Sequence, residues 1–105
     1  MKLKRYNNKQ LQAGLEAFRY QRWQEAIGHW ESVMDSKDKK TAAMAAANIA
    51  IAYEMLGERA SACDFCQHAI RLFGACKTTY ARQQQVNIRY YLAQLQAPQA
   101  AENAR

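Results

Sequence analysis

The sequence predicts an all-α chain of four helices paired as two hairpins, at about 8–20, 23–35, 40–56 and 58–73, with a fifth capping helix at about 78–96. Three observations carry this. Apolar residues recur at intervals of three and four through each of these stretches, the spacing that lines one face of an α-helix. Half of the 105 residues are hydrophobic and there are only four glycines and one proline, a composition suited to helices. Finally, Gly14 to Ala50, Gln21 to Gly57, Ala26 to Ala62 and Val33 to Ala69 all stand 36 positions apart, so the second hairpin repeats the first.

In the first helix Leu11, Leu15 and Phe18 form an apolar edge and Ala13, Gly14 and Ala17 a small one; Asn7 or Asn8 supplies the N-cap. A turn at Gln21 and Arg22 leads to the second, where Trp23, Ala26, Ile27, Trp30, Val33 and Met34 keep helical spacing. The polar loop Ser36 to Lys40 follows, with Asp38 or Thr41 as a cap. In the third helix Ala46, Ile49, Ala50, Tyr53 and Leu56 alternate small and large residues, a surface another helix can cross closely. Gly57 ends it by supplying a positive φ, and Glu58 lies near the start of the next helix, where the dipole favours a carboxylate. Ala62, Phe65, Cys66, Ala69, Ile70 and Phe73 form the stripe of the fourth, which Gly74 is expected to stop. Thr78 or Thr79 caps the last helix, where Tyr80, Gln84, Ile88, Tyr91, Leu92 and Leu95 mark one side and Pro98 marks the end.

Ala50, Tyr53, Gly57, Ala62, Ala69 and Ile70 together resemble the signature of a tetratricopeptide repeat. Arg59 and Gly74 depart from it, standing where that family usually has an aromatic residue and often has proline. The resemblance implies a right-handed α-solenoid, a single repeat domain over 1–97 with a flexible tail at 98–105, and an interaction function. Over Asn7 to Leu95 the order of residues is also similar to the C-terminal repeat segment of uncharacterised Bacteroides cell-envelope proteins. In those proteins a separate domain precedes the repeats, and the likeness implies a periplasmic or outer-membrane setting; without it, the expected compartment is cytoplasmic.

Stacked hairpins of this kind present their first helices on an inner face. Helical spacing then nominates Leu11, Leu15, Phe18 and Arg19 from the first hairpin, Met44, Ala47, Asn48, Ile51 and Met55 from the second, and Arg82 from the capping helix. In chaperone-binding tetratricopeptide proteins, residues matching Asn48 and Arg82 help hold a peptide carboxylate. Here Leu11 and Leu15 replace the lysine and asparagine those proteins use, which argues against a full carboxylate clamp. The expected partner is a protein or peptide, with self-association or packing within a larger envelope protein as the alternative.

Other functions find little in the sequence. The formal charge is +6, but the cations are scattered and no dense basic stripe with interleaved aromatics invites nucleic acid. MKLKRYNNKQ is followed by no apolar core, so it does not read as a signal peptide, and no apolar run reaches a membrane span. Cys63, Cys66 and Cys76 cannot all pair within one chain, and Cys66 falls on the apolar stripe while His68 lies on another side of the same helix, so no zinc site or other cofactor is expected. There is no phosphate-binding glycine loop and no nucleophile with a base, so catalysis is not expected.

Overall fold

A computed structural model describes residues 8–97, which form five α-helices in the order α1 (Lys9–Arg19), α2 (Trp23–Glu31), α3 (Lys39–Met55), α4 (Arg59–Gly74) and α5 (Thr79–Gln96). Among the described residues there is no β-strand. The expected tail at 98–105 lies outside this range. Each helix packs principally on its neighbours in sequence.

Local chemistry fixes the ends. Asn8 Oδ1 accepts from the backbone N–H groups of Gln10 at 2.9 Å and Leu11 at 3.1 Å, satisfying two donors that a helix start leaves open. Asp38 caps α3 by accepting from Lys40 N–H at 3.1 Å and the Thr41 hydroxyl at 2.7 Å, and Thr78 Oγ1 accepts from Ala81 N–H at 3.0 Å at the start of α5. Ala97 is extended, as a residue preceding proline tends to be.

The α1–α2 and α3–α4 turns share one backbone device. Gly57 sits at φ 79°, and 36 residues earlier Gln21 sits at φ 62°. In each, an N–H just past the helix returns to it: Arg22 N–H reaches the Ala17 carbonyl and Glu58 N–H the Tyr53 carbonyl, both at 2.9 Å. Glycine adopts this conformation freely, whereas glutamine does so at a cost of about 1–2 kcal/mol.

Two boundaries differ from expectation. The α-helix of α2 ends at Glu31, not near residue 35, and tighter turns carry the chain through Val33 to Asp35. Ser32 Oγ donates to the His29 carbonyl at 2.6 Å, and Val33 and Met34 bond three residues back instead of four. α4 ends at Gly74 itself, one residue beyond the expected bound. Gln85 of α5 lies over it, donating to the Ile70 carbonyl at 2.8 Å, and a Cβ on Gly74 would stand 2.9 Å from that amide nitrogen.

α3 is the spine of the core. It carries two adjacent apolar seams instead of one stripe. Ala43, Ala46 and Ala50 meet Ala62, Cys66, Ala69 and Phe73 of α4 and Ala81, Ile88 and Leu95 of α5 in one cluster. Ala45, Ile49 and Ala52 meet Leu11 and Ala17 of α1, Ala26, Ile27 and Trp30 of α2, and Val33 in the other. Met34, Met44, Tyr53 and Phe65 touch both clusters, and the Tyr53 and Phe65 rings stack with centroids 5.6 Å apart. Burying Leu11, Ile49 and Phe73 contributes about 1.5–3 kcal/mol each before chain entropy is counted.

The first hairpin closes through a glycine. A Cβ on Gly14 would fall 2.2 Å from Trp30 Nε1, so only glycine leaves room for the indole. Trp30 is 2% exposed and donates to the Leu11 carbonyl at 3.1 Å, so its polar atom is satisfied inside the core. At the matching positions of the second hairpin stand Ala50 and Cys66, both fully buried.

Candidate functional site

α1 and α3, the first helices of the two hairpins, leave a depression of about 220 Å³ lined by Leu15, Phe18, Trp30, Asn48 and Ile51. Its walls are set by helical spacing: Leu15 and Phe18 are three apart on α1, and Asn48 and Ile51 three apart on α3. Trp30 reaches it from α2 beneath, and its ring lies 5.9 Å from that of Phe18, which also meets Trp23 edge-on at 4.8 Å. The surface is largely apolar, with the Asn48 amide as a polar element.

The nominated residues divide into three sets. Leu15, Phe18, Asn48 and Ile51 converge on the depression, and Met55, 52% exposed, stands one turn beyond Ile51 on the same side of α3. Arg19 is close in sequence but forms an ion pair with Glu16 at 3.1 Å, and Arg82 is exposed on α5 and lines no part of the depression. Leu11 must be reassigned. Leu11 is 1% exposed, held in the core under Trp30, and so has no surface to offer a partner. Met44 is half-buried between the two core clusters, as is Ala47 against one of them.

Trp30 was missed as a wall of the depression because its spacing on α2 marks it as core, which it also is. Its place beneath the depression depends on Gly14, whose missing side chain leaves room for the ring. A second shallow depression, of about 310 Å³, lies along α4 and is lined by Met34, Asp64, Phe65, His68 and Arg71. There the Arg71 guanidinium donates to His68 Nδ1 at 3.1 Å.

The cysteines are placed by packing. Cys66 is fully buried, and burial, with Cys63 and Glu54 adding negative charge nearby, pushes its thiol up to about 12. Cys76 Sγ donates to the Leu72 carbonyl at 3.6 Å. Among the described residues no three His, Cys, Asp or Glu side chains converge as metal ligands would. Tyr91 of α5 donates its hydroxyl to Glu54 of α3, and burial, reinforced by that hydrogen bond, raises the phenol well above its ordinary value. This pairing spans 37 residues, and no local pattern in the sequence points to it. No described helix is long and apolar enough to cross a membrane.

Residues 12–97 match the model of a domain of unknown function, DUF6340. The chain belongs to the DUF6340 family. The match runs from the first turn of α1 to the end of α5, so it covers nearly all of the five helices and every residue lining the α1–α3 depression. No curated protein and no solved structure matches the chain.

Proposed function

We propose that this DUF6340 domain is a non-enzymatic interaction module of tetratricopeptide type, two helical hairpins and a capping helix wound as a right-handed solenoid, that holds a peptide or a protein segment on its inner face. The observation that carries the reading is the depression in which Leu15 and Phe18 of one hairpin face Asn48 and Ile51 of the next. The left-handed turns at Gln21 and Gly57, 36 residues apart, and the buried Ala50 and Cys66, which stand 36 positions after Gly14 and Trp30, support the repeat relationship. Met55, 52% exposed, extends the apolar surface beyond Ile51 at the edge of the depression with a flexible side chain that adapts to a partner's shape.

The test is a peptide array or pull-down comparing wild type with an Ile51→Glu/Met55→Glu variant. Both side chains are exposed, so the variant keeps its helical signal, whereas a change at Phe18 would also break its ring contacts with Trp23 and Trp30. Loss of captured peptides supports the inner face as the binding surface; unchanged capture removes it. Light scattering distinguishes the architectural alternative, in which the same substitutions dissolve a concentration-dependent dimer and no separate peptide is bound.

A further inference from the structure

The cations are spread along the chain, but the carboxylates are not. Between Asn8 and Asp64, seven Lys and Arg residues are matched by eight Asp and Glu; between Phe65 and Ala97 there are four cations, Arg71, Lys77, Arg82 and Arg89, and no carboxylate at all. The positive charge of the helical body is therefore concentrated on its last two helices. α5 is the outermost of these. It packs principally on α4 and turns Ala81, Ile88 and Leu95 inward.

The opposite side of α5 is centred on Val86, which is 60% exposed, with Tyr90, 68% exposed, one turn on. Helical spacing sets Arg82, Arg89 and the exposed Ala93 beside them. Among the described residues neither Arg82 nor Arg89 forms an ion pair, in contrast to Arg19 and Arg22, which meet Glu16 and Glu25. An apolar and aromatic strip bordered along one edge by two unneutralised guanidinium groups, seven residues apart on a helix 18 residues long, has the chemistry of a surface awaiting an acidic partner. A second copy laid along the same face would set like charges against each other and is disfavoured.

We infer that the outer face of α5, centred on Val86 and Tyr90 and bordered along one edge by Arg82 and Arg89, docks an acidic amphipathic helix of a partner protein. The partner's apolar stripe packs on Val86, Tyr90 and Ala93, and its flanking carboxylates pair with the two arginines. This surface is separate from the α1–α3 depression, and either can fail without the other.

The probes are three fluorescein-labelled helix-forming peptides with a stripe of Leu, Met or Phe at helical spacing flanked by Glu, with a Lys-for-Glu version of each. Fluorescence anisotropy against the intact chain is expected to show saturable binding of at least one acidic peptide, weakening as salt is raised, and none of its Lys counterpart. Arg82→Glu/Arg89→Glu is expected to weaken that binding about tenfold, as is Val86→Glu, while Ile51→Glu/Met55→Glu leaves it unchanged. Circular dichroism checks that each variant retains its helices. The inference is overturned if no acidic peptide binds, if the Lys versions bind equally, or if the α5 variants bind as wild type does. It is also overturned if the face binds only vesicles of phosphatidylcholine and phosphatidylserine, which would assign it to anionic lipid.

Discussion

Gly14→Ala is the sharpest perturbation of this fold. In most exposed helices the change stabilises by about 1 kcal/mol, because alanine is the better helix former. Here the new Cβ would lie 2.2 Å from Trp30 Nε1 and 2.5 Å from Cδ1 and Cε2, against an ordinary carbon contact of about 3.5–4.0 Å. The indole must retreat by more than about 1 Å into a close-packed core, at roughly 1–3 kcal/mol for overpacking. Its N–H then leaves the Leu11 carbonyl, now 3.1 Å away, and a buried donor without a partner costs about 1–3 kcal/mol more. Net of the helix-forming gain, destabilisation centres near 3 kcal/mol, a fall in Tm on the order of 10–25 °C for a domain this size. Urea and thermal unfolding followed by circular dichroism measure it. Gly28→Ala is the control: no atom lies within 4 Å of its added Cβ, and a gain of about 1 kcal/mol is expected. In a Trp30→Phe background the cost of Gly14→Ala should drop by at least about 1 kcal/mol, since the ring is smaller and has no N–H to strand. A Gly14→Ala protein that melts at or above wild type would show that the indole is not seated on this glycine.

Gln21→Gly relieves the left-handed backbone at φ 62° and should stabilise by about 0.5–1 kcal/mol, read as a rise in urea midpoint with unchanged slope. Asp38→Ala should cost about 0.5–2 kcal/mol by uncapping α3, with Asp38→Asn close to wild type. The Thr41 hydroxyl, with the Lys40 and Thr41 backbone N–H groups, holds the Asp38 carboxyl below its ordinary value. Its charge-dependent contribution is therefore complete above about pH 4 and is lost as pH falls through the lowered value, an effect that Asp38→Asn abolishes in acid titrations. Cys66, raised to about 12, keeps its proton in the folded chain; its contribution is complete below the unfolded thiol's value of about 8.5 and declines as pH rises toward 12. Iodoacetamide labelling at pH 8 with mass-spectrometric readout should modify half-buried Cys63 and Cys76 well before Cys66, and equal rates would contradict its burial.

The helices were legible because apolar spacing, caps and turn residues act locally. Asn8, Asp38, Thr78 and Gly57 each take the role their chemistry suggests. The end of α2 was less legible, since Val33 and Met34 keep helical spacing while a serine hydroxyl competes for the backbone. The double seam of α3 was read as one stripe, because a helix buried on two sides blurs its own periodicity. Of the residues that spacing nominated for the inner face, Leu15, Phe18, Asn48 and Ile51 line one depression. Spacing mistook Leu11 for surface because depth depends on where α2 crosses α1, which Gly14 and Trp30 decide together. The Tyr91–Glu54 bond joins helices that only tertiary packing brings near.

The division of the core along α3 bears on what an occupant would do. α1 and α2 are anchored to the remainder mainly by one flank of that helix, while α4 and α5 hold its other flank. A guest wedged between Leu15 and Ile51 would act as a strut across the weaker joint. Amide protons of the N-terminal pair would then slow their exchange more than those of the C-terminal pair, so that occupancy is recorded as a change in how the chain opens.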